Sequence, residues 1–494
     1  MILLPLADAA ADIAQAAHDA AHDAAHDVVA HTPPPSWVTW LFLALLAAMI
    51  LCLALEEKLH AKKSVIVGAF AALCVTLETI IGHLLGRKLI PFGEVTLPPP
   101  VSHAIELPVY IPAIDWGVIT IILGASLFVE VASKSGVFSW LAIKVTKLSG
   151  GDPWRLLIAY GLLTVLFSAV LNNVTAMIII GSLTGVSLRK LGRADLLLGF
   201  LFVEGLLTNV GGLLTLISSV PNIIVGKAAE ISFADFFLVA APYVAVATIA
   251  TLVMGKAVFK VKGLATDEEK AAARTQVEAF DENEGIESDG FFWFSVATLV
   301  LFIAAMAAQP LLPLGLDQLD LGFIALFFAM VMLLSVKGEA DKFYRAVDWD
   351  LLGFFAALFV VINMMEHAYV LEMIGEWLKM LLALPQGVDT GVLLAASAAA
   401  SSVTDNIPLA AMLAKILERL GTPTDPVSPL WWSVILGSNL GGNITPIGSA
   451  STVVAMTIIH KEKLPLTFGG FVKKAIPFAA MQIVLAIAYV LVAV

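Results

Sequence analysis

Four polar interruptions in otherwise apolar sequence carry the residues able to do chemistry. Asp405-Asn406-Ile407-Pro408 stands between apolar runs near 389–402 and 407–417, and Asn172-Asn173 between runs near 156–171 and 174–188. Asn and Asp compete for backbone hydrogen bonds and are poor helix-interior residues. Thr208-Asn209-Val210-Gly211-Gly212 and Ser438-Asn439-Leu440-Gly441-Gly442 interrupt two later segments. Adjacent glycines let a backbone unwind and approach a ligand closely. Thr208, Asn209, Thr215, Ser438, Asn439 and Thr445 offer neutral hydroxyl and amide ligands, while opened helix ends offer N–H groups to anions and C=O groups to cations. Asp405 is the titratable member of these interruptions. It can hold a cation when ionised and a proton when neutral, so exchange of the two is the chemistry it suggests. Glu204, four residues before Thr208, is either a second proton carrier or a structural acid. Glu78, Glu130 and Glu366-His367 read as structural groups near segment ends, and Asp115 and Asp348 as helix N-caps.

The elements that must position these residues are membrane helices. Of 494 residues, 59% are hydrophobic and 14% charged, with a mean hydropathy of +0.93. A transmembrane helix takes about 20 apolar residues, which leaves room for about ten to thirteen segments and excludes a soluble multidomain enzyme. The net charge is −12. Residues 1–37 contribute five Asp and no base, and 263–290 contribute nine acids and two bases, so the apolar body is neutral. With no basic stripe, nucleic-acid binding is excluded. Inside a bilayer each freed N–H and C=O needs a partner. The Asn172 and Asp405 interruptions therefore read as tips of re-entrant helical hairpins, with ordinary loops as the alternative. The glycine interruptions read as broken helices, with glycine-mediated helix packing as the alternative.

The landmarks recur in order. Ile114-Asp115-Trp116 returns as Val347-Asp348-Trp349 and Asn172-Asn173 as Asp405-Asn406, both 233 residues later; Thr208–Gly212 returns as Ser438–Gly442, with Thr215 as Thr445 and Ser219 as Ser449, 230 later. The chain divides into an acidic tail (1–37), N-terminal membrane segments and a Pro-rich loop (38–113), a first repeat (114–262), an acidic linker (263–290), connecting segments (291–345) and a second repeat (346–494). Paired repeats with interrupted segments in matching places mark secondary transporters.

The start of the chain makes a poor signal peptide. His18, His22 and His26 would share one helix face and could bind a divalent metal, against the plainer reading of a solvated tail. Cys52 and Cys74 fall in apolar runs and read as small hydrophobes. Lys58, Lys62 and Lys63 follow the first span, which puts them in the cytoplasm and the N-terminus outside.

The stretches IDWGVITIILGASLFVEVASKSGVFSWLAIKV, SAVLNNVTAMII, TNVGGLLTLISSVPNIIVG, SSVTDNIPLAAM and SNLGGNITPIGSASTVVAM resemble the ion transporter superfamily, in the branch of the ArsB/NhaD permeases and the melanosomal P protein. The resemblance implies an all-α polytopic fold of two inverted repeats, each with a hairpin and a broken helix, a scaffold that dimerises and an elevator-like movement. It places the tips at Asn172-Asn173 and Asp405-Asn406 and the unwound breaks at Thr208–Gly212 and Ser438–Gly442. Where the family's first tip commonly reads Asp-Asn, this chain has Asn172-Asn173.

The leading expectation is a Na⁺/H⁺ antiporter of the bacterial inner membrane working at Asp405, with Na⁺ as transported or coupling ion and no cofactor. The alternative is a cation-coupled permease for a small anion or metalloid such as arsenite, a dicarboxylate or citrate. The absence of Lys and Arg inside the tips and breaks disfavours a large dianion. An ion channel is disfavoured because no selectivity-filter sequence is present. An enzyme is excluded because HExxH, GxSxG and P-loop motifs are missing.

Overall fold

Almost every apolar run folds as helix. The computed structural model describes residues 33–86, 94–96, 104–106, 110–313, 316–385 and 387–494. The His18, His22 and His26 run lies outside them, and among the described residues no group of three His, Cys, Asp or Glu could hold a metal ion. Two long helices come first, α1 (Ser36–Ala54) and α2 (Lys63–Leu84). In the Pro-rich loop, β1 (Glu94–Thr96) pairs antiparallel with β2 (Ala104–Glu106).

Seven helices follow: α3 (Trp116–Lys134), α4 (Val137–Leu148), α5 (Pro153–Val170), α6 (Asn173–Lys190), α7 (Leu197–Gly211), α8 (Val220–Ala228) and α9 (Phe233–Val258). The acidic linker holds α10 (Asp267–Glu278), and α11 (Asp289–Ala308) and α12 (Leu321–Ser335) connect the halves. The same seven then return as α13 (Trp349–His367), α14 (Val370–Leu382), α15 (Val388–Ser401), α16 (Asn406–Arg419), α17 (Pro429–Gly441), α18 (Ala450–Lys461) and α19 (Phe468–Ala493). Among the described residues, nine helices are long and apolar enough to cross a membrane.

Local chemistry sets the boundaries. Asp115 caps α3 by accepting from the Val118 N–H at 3.2 Å, and Asp348 caps α13 from Leu351 at 3.0 Å. Trp116 donates its indole N–H to the Ile111 carbonyl, and Trp349 repeats this to Tyr344. Asp152 and Pro153 open α5, the carboxylate accepting from the Arg155 N–H, an N-cap followed by Pro at the first helical position.

The helices before each repeat cross over to pack. α2 lies against α13, where Ser64 on α2 bonds Asp350 on α13. α12 lies against α3, and small residues allow it: a Cβ on Gly124 would sit 2.5 Å from the Ala325 carbonyl carbon, and one on Gly322 2.0 Å from Thr120 Oγ1. Such close approach lets dispersion and backbone contacts bind helices where no hydrophobic force operates between them.

Two faces can be told apart. On the first, Lys63, Lys58 and Phe468 border one cavity, Arg189 pairs with Glu462, and the linker docks on α4 and α5. On the second, Asp115 pairs with Lys227 at 2.5 Å, in a cavity that Glu366, Lys415 and Glu418 also border.

Candidate functional site

Each hairpin tip is a helix capped from its own turn. At the first, Leu171 is extended and Asn172 Oδ1 accepts from the Thr175 N–H at 2.8 Å, so α6 starts afresh instead of continuing α5. At the second, Asp405 Oδ1 accepts from the Ile407 N–H at 3.0 Å and opens α16. The polar residues that read as unfit for a helix interior therefore serve as N-caps.

Each tip is seated on its own break by one repeated set of bonds. Ser168 Oγ donates to the Thr208 carbonyl at 2.6 Å, and Ser401 Oγ to the Ser438 carbonyl at 2.5 Å. Thr215 Oγ1 donates to the Ala169 carbonyl, and Thr445 Oγ1 to the Ser402 carbonyl. The glycines make room: a Cβ on Gly211 would lie 2.6 Å from Val165 Cα, one on Gly441 2.3 Å from the Ala398 oxygen, one on Gly212 2.7 Å from the Asn173 amide, and one on Gly442 2.9 Å from Ser449 Cβ. Gly211, Gly212 and Gly441 permit close approach of hairpin to helix, and Gly442 lets the second break fold tightly on itself.

The two breaks are locked to each other. Asn209 Nδ2 donates to Asn443 Oδ1 at 2.8 Å and to Ser449 Oγ at 2.9 Å, and Ser451 Oγ donates to Asn209 Oδ1. In mirror fashion Asn439 Nδ2 donates to Asn222 Oδ1 at 2.9 Å, and Ser219 Oγ donates to Asn439 Oδ1 at 2.7 Å. Thr208 and Ser438 turn their hydroxyls back to the Gly205 and Val434 carbonyls. Thus the break hydroxyls and amides offered above as ligands are engaged in bracing the protein. A network whose members are all satisfied specifies one packing.

The open space lies beside the second tip. A cavity of about 720 Å³ is bordered by Asp405, Asn406, Val174, Ser449, Ala450 and Lys63. The first turns of α6, α16 and α18 all reach it, each a source of partial positive charge. Lys63, the first residue of α2, donates from Nζ to Asp405 Oδ2. The side chains are 31% and 11% exposed, so the pair stands at the edge of the cavity and not in bulk water. Sequence reasoning missed Lys63 because it reads as a topology marker; its one signal is that apolar sequence follows directly, which makes it part of the span. Asn172 and Asn173 have no such charged partner at their tip: Asn172 is exposed, and the Asn173 amide lies 2.6 Å from the Ser168 hydroxyl.

A sequence model described as "Citrate transporter" matches residues 50–437. The chain belongs to the citrate transporter family. Two relatives are uncharacterized transporters of Mycobacterium tuberculosis: one is 32% identical over 399 residues, covering 80% of this chain and 90% of its own, and the other 31% identical over 379 residues, covering 76% and 86%. The human P protein is 25% identical over 518 residues, covering 89% of this chain and 60% of the P protein. Among solved structures, the YdaH transporter of Alcanivorax borkumensis has a TM-score of 0.58 at 16% identity, covering 87% of this chain and 98% of that one. MtrF of Neisseria gonorrhoeae, described with a class of antimetabolite efflux pumps, has a TM-score of 0.52 at 15% identity, covering 88% and 95%. The last two show a shared fold. Together these findings establish an integral membrane secondary transporter with no enzymatic role, as the composition and the repeat implied.

In this citrate transporter family member the other acids singled out in the sequence, Glu204, Glu366, Glu78 and Glu130, do not border that cavity. Glu204 is fully buried on α7, accepts from Thr184 Oγ1 at 2.6 Å, and keeps its second oxygen without a partner. Glu366 accepts from Arg419 Nε at 3.1 Å and ties α13 to α16, while His367 bonds the Asn363 carbonyl. Glu78 is buried on α2, and Glu130 is half-buried on α3.

Proposed function

We propose that this transporter moves a small carboxylate anion of the citrate class across the bilayer, coupled to a cation held at Asp405. One observation carries the reading: the Asp405–Lys63 pair borders a cavity that the first turns of α6, α16 and α18 reach. Helix N-termini and a lysine favour an anion, and the carboxylate supplies the cation's place. Lys63 removes the argument against a fixed positive charge that the tips and breaks alone suggested. The description of the matching family as citrate transporters supports the same substrate class.

Na⁺/H⁺ exchange is the second reading. It rests on Asp405 being an acid whose internal counter-ion a Na⁺ or a proton can replace. Reconstitution into proteoliposomes separates the two. On the first reading, labelled citrate enters under an imposed Na⁺ or H⁺ gradient, and Asp405→Asn abolishes the gradient dependence. Na⁺-driven pH change without citrate or arsenite flux would replace it with the second.

The arrangement in the bilayer is part of the proposal. The open end of the first hairpin lies with the linker and that of the second lies with Asp115, which supports two inverted repeats at 114–262 and 346–494. Among the described residues, Lys227, Lys379, Lys415 and Arg419 are the bases on the second face, against a majority of the chain's 28 Lys and Arg on the first. By the positive-inside rule the Lys63 face is cytoplasmic and the N-terminus lies outside, in a bacterial plasma membrane. Elevator-like movement and homodimeric assembly follow from the resemblance; cross-linking in the membrane at twice the 52.3 kDa chain mass tests the latter.

A further inference from the structure

The Lys63–Asp405 pair joins two parts of the molecule. Lys63 begins α2, and the next residue, Ser64, is bonded through both its backbone N–H and its hydroxyl to Asp350 at the start of α13. Asp405 begins α16 at the tip of the second hairpin. The ammonium is therefore anchored on one element and its carboxylate on another. Asp405 uses one oxygen to cap Ile407 and the other for Lys63, while Glu56 Oε1 stands 3.9 Å from the same ammonium. A second cavity of about 450 Å³, bordered by Glu56, His60, Lys62, Asp348 and Asp350, adjoins the first and shares Lys63 and Glu56 with it.

We propose that Lys63 is the exchangeable counter-ion of the transport cycle. The coupling cation displaces it from Asp405, and a carboxylate of the substrate takes the released ammonium. The physical reason is charge balance in a partly dry site: a desolvated charge is tolerated when paired, and parting the pair leaves two unpaired charges. A cation alone would strand Lys63, and a carboxylate alone would strand Asp405. Loading both at once keeps each charge paired, so the geometry itself couples anion to cation. The first tip supports this by contrast, because Asn172 is neutral and caps its helix without any counter-ion. The inference rests on the carboxylate-transport reading and names the residue that enforces its coupling.

The test uses the full chain in proteoliposomes, with labelled citrate as probe under a Na⁺ gradient in one arm and an H⁺ gradient in the other. The arm that drives uptake identifies the cation. Lys63→Gln is expected to raise the KM for citrate at least about tenfold, the equivalent of losing one charge-assisted hydrogen bond, with a smaller change in kcat. Asp405→Asn is expected to leave Lys63 free for the anion, so that citrate binds without any cation and uptake no longer follows the gradient. Lys63→Arg is expected to keep coupling with a higher KM, and it answers the question should Lys63→Gln fail to elute as a monodisperse species. Two results overturn the proposal: a Lys63→Gln protein with wild-type KM and cation dependence, or a Lys63→Gln/Asp405→Asn double variant with wild-type coupled uptake. Both show a pair that merely neutralises itself. Failure of the substrate reading is distinct, because it appears in the wild-type protein as an absence of carboxylate flux.

Discussion

Asn209 and Asn439 carry more of the architecture than their place in two glycine-rich breaks suggests. Each reaches across to the opposite break, Asn209 to Asn443 and Ser449, Asn439 to Asn222 and Ser219. All of these bonds are buried or nearly so, and a buried partner left unsatisfied costs about 1–3 kcal/mol. Asn209→Ala leaves Asn443 Oδ1 without its donor and takes one partner each from Ser449 and Ser451, which keep each other, so it is expected to destabilise the purified protein by about 1–3 kcal/mol. A thermal-stability measurement in nanodiscs checks this, and Asn439→Ala should behave alike. Asp405 belongs to a different class of residue. Asp405→Asn keeps the cap on Ile407 but takes the counter-ion from Lys63, so gradient dependence is expected to be lost together with a fall in stability smaller than that of Asn209→Ala, as the same two assays would reveal.

The hairpins depend on glycines at their crossing points. Gly441 lies where a Cβ would come 2.3 Å from the Ala398 carbonyl oxygen, backbone that has no flexible side chain to give way. Gly441→Ala is therefore expected to push the second hairpin off its break and abolish transport. Gly469→Ala, with open space at its Cβ, should be neutral; uptake by the two proteins at equal surface density decides. The linker is an element of another kind. Thr266 and Glu269 form a capping box that starts α10. Its far end is held where Glu282 meets Lys147, and Lys144 at 3.1 Å. The two lysines lower the Glu282 carboxyl to about 2. A depressed carboxyl stabilises docking above its usual range and loses that contribution as pH falls toward the depressed value. Linker docking is expected to be unchanged from pH 8 to about pH 5 and to loosen below about pH 4. Hydrogen exchange across 263–288, measured with Glu282→Gln as reference, reads it directly.

At the scale of the whole molecule the two halves repeat one plan and differ in charge. Helices α3–α9 and α13–α19 match one for one, down to the paired Ser168/Ser401 and Thr215/Thr445 bonds. The tips break the symmetry: Asn172 is neutral, and Asp405 is ionisable with Lys63 beside it. One half can then bind charge while the other serves as its neutral counterpart. The proposed orientation makes a direct prediction. With Cys52 and Cys74 replaced by Ala, a cysteine at position 270 should resist a membrane-impermeant maleimide in intact cells. A cysteine at position 379 should react, and the reverse pattern would invert the topology.

Local physics made much of this protein legible from its sequence. Run length and apolarity determined the membrane class, and the repeat showed in landmarks 230 to 233 residues apart. Asn, Asp and paired Gly marked where helices must stop, since their effect acts within a turn or two of the chain. Asp115 and Asp348 were readable as caps for the same reason. Only the tertiary structure decided what those interruptions meet. Of the break groups that sequence offers as ligands, the Asn209 and Asn439 amides bond across the two halves, and the Thr208, Thr215, Ser438 and Thr445 hydroxyls bond carbonyls within their own half. Lys63 is 342 residues from Asp405 and finds it because α2 packs against the first helix of the second repeat. Which helix crosses over to which half depends on the close packing of small residues and the satisfaction of buried polar groups. These are properties of surfaces brought together by folding, and no local spacing encodes them.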